Sequence, residues 1–162
     1  MNDELNTRLA TIKIIHLAMA AGISFFILFL FIQAGRVEPR QVDASEKTLP
    51  RLIGMVSLGL IFVSAAAGNL LARKNFARAK ETTDVTAKLQ LFNAAHIMRL
   101  ALIEGPALLA LVGLVIHIFG GGSLFDFSVT GFHFATIVVF YALWTIMFPG
   151  KESVYKAAGL NP

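Results

Sequence analysis

The chain has 162 residues, a formal charge of +4 and no cysteine; 56% of it is hydrophobic and only 15% charged. A soluble domain carries about 25% charged residues, so this composition, with a mean hydropathy of +0.71, excludes an ordinary soluble domain. The absence of cysteine excludes disulfides, thiolate metal sites, iron–sulfur clusters and cysteine nucleophiles. The positive excess is of the kind that membrane proteins hold in cytoplasmic loops and does not call for nucleic acid as a partner.

A helix needs roughly 20 mostly apolar residues to cross a bilayer. Four stretches qualify, at about 12–33, 52–72, 91–119 and 125–148. Only helices and closed barrels satisfy the backbone inside lipid, and long apolar runs without strict alternation select helices. The expected fold is an all-α, four-helix transmembrane bundle, a single integral domain with the bilayer as its first partner. The first stretch is too long for a signal-peptide core and no A-x-A-like site follows it closely, so it is expected to be retained.

Chain order supplies the connections. "GRVEPRQVDASEKTLP" (35–50) is a polar loop, and its Pro50 suits the start of helix 2. In "RKNFARAKETTDVTAKLQ" (73–90), helix 2 is expected to run on to about Lys80, with a turn at 82–84 and Asp84 as the N-cap of helix 3. "FGGGS" (119–123) is a tight turn that makes helices 3 and 4 antiparallel neighbours. The tail, 149–162, reads as a helix stop, a short surface helix and a Gly-Asn-Pro end.

Lysine and arginine set the orientation. The N-terminal segment, the second connection and the tail together carry nine, against four in the first connection and none in the third. Both termini are therefore expected to be cytoplasmic, and the expected localisation is a cytoplasmic (inner) membrane.

Polar residues within the apolar stretches are the candidate site. Glu104 lies near the middle of helix 3, where an ionised carboxylate costs at least about 2.5–3.5 kcal/mol; it must be protonated or paired. Arg99 is five residues away, about 140° around a helix, whereas neighbours are three or four apart. A partner is expected from another helix or another subunit, with Ser24, Ser57, Ser64, Thr136 and Tyr141 as candidates. Pro106 frees the carbonyl of Leu102, and Gly105 permits close approach. Two readings follow: an interhelical polar contact that locks packing, or a site for a proton or a small cation, with His96 and Arg99 nearby. Arg99 either snorkels to the headgroups or joins Lys13, Arg73 and Lys74 in holding an anionic lipid headgroup.

Four histidines raise haem, which takes two at matching depth on facing helices. His16 and His96 match on the inner half, while His117 and His133 match less well. Ordinary hydrogen-bonded histidine is the alternative, and no His/acid set has structural-metal spacing. Small residues in "AMAAG" (18–22), "GMVSLG" (54–59) and "SAAAG" (64–68) suit helix packing. The phenylalanines of 23–32 are expected to face lipid or a partner, and Trp144 and Tyr155 suit the inner interface.

No GxSxG, HExxH, P-loop, dinucleotide fingerprint or paired-carboxylate pattern occurs, so no enzymatic activity is expected. The expected role is that of an accessory or oligomeric component of a membrane assembly. The alternatives are proton or cation handling at Glu104, and a small haem-binding electron carrier.

Two resemblances bear on this. "RLALIEGPALLALVGLVI" (99–116), the tail "FPGKESVYKAAGLNP" and the opening "IIHLAMAAG" (14–22) resemble a group of small four-helix membrane proteins of Bacteroidota-type bacteria, which brings no established activity. More locally, "ALIEGPALLALVGLVI" (101–116) is similar to the carboxylate-bearing helix of rotary ATPase proteolipid (c-type) subunits. That resemblance implies a carrier role for Glu104. The sequence departs from that pattern in its long loop, in Arg99 and Pro106 beside the acid, and in lacking a glycine-repeat partner helix.

Overall fold

A computed structural model describes residues 2–38, 40–150 and 152. The chain forms four α-helices: α1 (Asn2–Ala34), α2 (Ala44–Glu81), α3 (Val85–Phe119) and α4 (Phe127–Ile146). Each is long and apolar enough to cross a membrane, as expected of a multi-pass membrane protein. The expected surface helix of the tail, with Tyr155, lies outside the described residues apart from Glu152.

The helix ends follow from local chemistry. The Asp84 carboxylate accepts from the backbone N–H groups of Thr86 (3.0 Å) and Ala87 (3.3 Å), the predicted N-cap of α3. Helix α2 begins earlier than expected. The Glu46 carboxylate accepts from the Asp43 N–H at 3.1 Å, starting the helix at Ala44 and leaving Pro50 inside it. Pro50 costs α2 one hydrogen bond, to the Glu46 carbonyl, close to the polar end of the bundle where that loss is cheapest. Arg78 and Lys80 close the last turn of α2, where the helix dipole favours cations.

Helix α3 is the axis of the molecule. It packs along most of α2, and also against α1 and α4; α4 in turn packs on α2 and touches α1. Helices α1 and α2, neighbours in sequence, scarcely meet. The buried residues of α2 are Pro50, Gly54, Ser57, Ile61, Gly68, Ala72 and Ala79. They stand at steps of three, four or seven, the heptad spacing of the seam of a left-handed helix pair, and they are mostly small. Small side chains let two backbones approach in a medium that gives no hydrophobic drive to helix contact.

The main core joins Ile23 and Leu30 of α1, Ile61 of α2, Leu100 to Ile118 of α3 and Phe140 of α4. A second cluster, Leu9, Ile12, Leu89 and Phe92 with Phe76 against it, sits at the end carrying the α2–α3 connection. At 38 residues, α2 is about 57 Å long, far more than the roughly 30 Å hydrocarbon layer. The α2–α3 hairpin therefore projects beyond α4 at this end. It bears the exposed Arg73, Lys74, Arg78 and Lys80, and is called the basic end below. Outward faces are apolar: Phe25, Phe26, Phe29 and Phe31 on α1 are all exposed, as predicted for a lipid-facing or partner-facing strip.

At the opposite end the first connection straps the third. Arg40 donates from Nε to the Gly120 carbonyl at 2.9 Å and from its backbone N–H to the Gly121 carbonyl at 3.1 Å. Gly121 has φ +86°, and a side chain there would also run into that of Arg40. Lys47 of α2 pairs with Asp126, which precedes α4, at 2.8 Å.

Candidate functional site

The polar groups inside the bundle fall into three sets. The first joins α1, α3 and α4. The last four carbonyls of a helix lack intrahelical donors, and Trp144 carries one of those of α4. His16 Nε2–H supplies the donor at 2.9 Å. In return the Trp144 indole N–H donates to the His16 carbonyl at 2.9 Å. His16 Nδ1 lies 3.3 Å from His96 Nε2, and the two rings are stacked with centroids 5.4 Å apart. Both histidines are buried, at 0% and 4% exposure. Their matched depth was legible in the sequence; the part of Trp144 was not, and an aromatic spaced to meet a histidine across two helices leaves no local signal.

Beside this set lies a cavity of about 170 Å³ lined by Phe76, Phe92, His96, Arg99, Ile146, Met147, Phe148 and Pro149. Arg99 enters it from α3, where α2 comes so close that a Cβ on Gly68 would stand 3.4 Å from the Arg99 Cα. The guanidinium has no acceptor among the described residues, and its Nε is enclosed. Of the other predicted headgroup contacts, Arg73 and Lys74 are exposed on the projecting part of α2 and Lys13 is half-buried on α1; none of the three lines this cavity.

The second set is Glu104 with Pro106. Glu104 is half-buried, on the border between the packed face of α3 (Leu100, Ile103, Ala107, Leu111) and its outward face (Ala101, Gly105, Leu108, Val112). It has no hydrogen bond or ion pair with any described residue. Four of the five candidates on neighbouring helices are engaged elsewhere, and the fifth, Ser64, makes no hydrogen bond to it. Ser24 and Tyr141 pair with each other at 2.6 Å, Ser57 donates to the Ile53 carbonyl and Thr136 to that of Phe132. An interhelical contact of Glu104 is thus not made with any described residue. Helix α3 continues through Pro106, which is buried, and nothing lies within 4 Å of a Cβ placed on Gly105.

The third set is His117 and His133. His117 Nε2–H donates to the Ser123 carbonyl at 3.1 Å. His133, fully buried, lies in a slot between α2 and α3, with Gly54 on one side and Gly113 on the other. Its ring nitrogens stand near the backbone carbonyls of Pro50 and Ala110, but neither makes a hydrogen bond of good geometry. Glycine opposite histidine is the feature that sequence reasoning missed, since the two lie on different helices.

Haem does not fit the inner pair as placed. The nitrogens that would face an iron face each other, 3.3 Å apart, and the other nitrogen of His16 is committed to Trp144. No group of three or more His, Asp or Glu side chains among the described residues is placed to hold a metal ion. Comparison with protein-family models, curated proteins and solved structures finds no match.

Proposed function

We propose that this chain is a non-enzymatic component of a membrane assembly in the inner membrane of a bacterium, with both termini cytoplasmic. It joins a second copy or another membrane protein through the α3 face at Glu104. The observation that carries this reading is a mid-helix carboxyl, half-exposed at the edge of the outward face of α3, with no partner among the described residues. Lipid offers such a group nothing, and intramembrane acids face partners or water rather than hydrocarbon. Exposed Ala101 and Gly105 beside it let another helix come close.

A second reading, proton or small-cation handling at Glu104, rests on Pro106, which leaves the Leu102 carbonyl without its helical donor next to the carboxyl. One experiment separates the two. The chain has no cysteine, so a single Gly105→Cys reports contacts at this face by cross-linking in native membranes. The assembly reading expects a cross-linked dimer or heteromer that survives Glu104→Gln and is lost in Glu104→Leu. No cross-link in any background would refute it. Loss of cellular function in Glu104→Gln with the cross-link intact would move the role to the proton.

A further inference from the structure

The His16–His96–Trp144 set has a directional consequence. A carbonyl only accepts, so His16 must carry its proton on Nε2. With both rings neutral, His16 Nδ1 is then the acceptor, and His96 must donate from Nε2. The one nitrogen left over is His96 Nδ1, an acceptor without a donor among the described residues, on a ring that lines the cavity of about 170 Å³. Arg99, in the same wall, is a cation without an anion among the described residues. The cavity therefore presents one acceptor and one unneutralised guanidinium, with Phe92, Ile146 and Phe148 as apolar walls.

Its depth is set by α4. That helix has 20 residues, about 30 Å, which matches the hydrocarbon layer. The cavity is built at its C-terminal end, from Ile146 to Pro149, so it lies where the hydrocarbon stops and phospholipid phosphates begin. The projecting α2–α3 hairpin adds the exposed Arg73 and Lys74 on the same side.

We propose that this cavity binds one glycerophospholipid headgroup, its phosphodiester on the Arg99 guanidinium and a headgroup N–H or O–H on His96 Nδ1. Guanidinium suits phosphate by charge and by its planar array of donors, and basic pockets between membrane helices are sites for such headgroups. The acceptor adds selectivity. Ethanolamine and glycerol headgroups can donate to His96, whereas choline has no N–H or O–H. The apolar walls take the glycerol and the first methylenes, which favours a lipid over a free phosphodiester.

Native mass spectrometry of the delipidated full chain in maltoside detergent tests this, with dioleoyl phosphatidylethanolamine and phosphatidylcholine as the two probes. The expected result is one retained phosphatidylethanolamine per chain, with phosphatidylcholine about tenfold weaker, the scale of one hydrogen bond kept or lost in a dry site. Arg99→Gln should weaken both by about tenfold or more, because it removes a charge-assisted contact. His96→Phe should keep binding but erase the difference between the two lipids, a ratio internal to each variant that loss of folded protein does not mimic. Equal binding of the two lipids by the unmodified chain would overturn the proposal, as would binding that Arg99→Gln leaves unchanged. Displacement of the lipid by equimolar glycerophosphoethanolamine would overturn the lipid assignment in favour of a soluble phosphodiester.

Discussion

The imidazole of His133 fills the space that a side chain would take at Gly113. A Cβ built on Gly113 falls inside the van der Waals envelope of His133 Cε1, and one on Gly54 stands 3.0 Å from the same atom. One ring thus keys α4 into the α2–α3 pair. Gly113→Ala should force the helices apart and destabilise the bundle by about 1–3 kcal/mol, the usual cost of overpacking. Gly59 has nothing within 4 Å of its Cβ position, so Gly59→Ala should be neutral or stabilising by up to about 1 kcal/mol through helix propensity. Thermal unfolding of the two variants in the same detergent checks the contrast; equal Tm values would deny the key.

His133 itself makes a separate prediction. Its two ring nitrogens are enclosed beside the Pro50 and Ala110 carbonyls without a hydrogen bond of good geometry, and a poorly satisfied buried polar group costs about 1–3 kcal/mol. His133→Leu, close in volume, should leave Tm unchanged or raise it. A marked fall in Tm would mean that the contacts of the ring with the Pro50 and Ala110 carbonyls hold α4 in place.

The link between His16 and Trp144 predicts an order of severity. His16→Leu strips both the Trp144 carbonyl and His96 Nε2–H of their partners, at roughly 1–3 kcal/mol for each orphaned group. His96→Leu orphans only His16 Nδ1. Chemical unfolding in mixed micelles should rank His16→Leu as the more damaging, and the reverse order would contradict the hydrogen-bond chain.

Asp126 sets an acid limb on stability. The Lys47 ammonium bonded to it, and then the Ser128 hydroxyl, hold its carboxyl below the usual carboxylate range. A carboxyl lowered in the folded state contributes stability that is fully present above its unfolded value. The contribution is lost as pH falls through the lowered one. The pair is partly exposed, so its worth is about 0.2–1 kcal/mol and salt-sensitive. Tm of the native chain should hold from neutral pH down to the carboxylate range and then fall, and Asp126→Asn should flatten that last step at the expense of Tm at neutral pH.

Orientation is open to direct labelling. Thr83 at the basic end and Gln41 at the other are both exposed, and the native chain has no cysteine to interfere. An impermeant maleimide applied to intact cells should label Gln41→Cys and spare Thr83→Cys. Labelling of Thr83→Cys alone would invert the proposed topology.

The helices were legible because an apolar run of membrane length has few other solutions, and the end of α2, the Asp84 cap and the α3–α4 turn were written in local residues. The start of α2 was not. Pro50 is a strong helix-start signal, and only the reach of Glu46 back to Asp43 shows that the helix has already begun. Beyond the α3–α4 pair that the tight turn implies, which helices face each other was also hidden. Every face of these helices is apolar enough for lipid, so periodicity does not single out the packed one. Rise per residue did place His16 and His96 at one depth. It is silent on angle around the axis, and angle decides that Trp144 joins them and that Glu104 is left outside.

The near absence of contact between α1 and α2 bears on how the molecule is made. Helices enter a membrane in chain order, but α1 has little to hold until residues 85–119 have followed it. The first helix therefore waits in the bilayer as a separate body, its polar His16 unpaired, while α2 and α3 close on each other. Anything that delays or misdirects the third helix strands the first, and a variant damaged only in α3 should leave α1 exposed to membrane proteases.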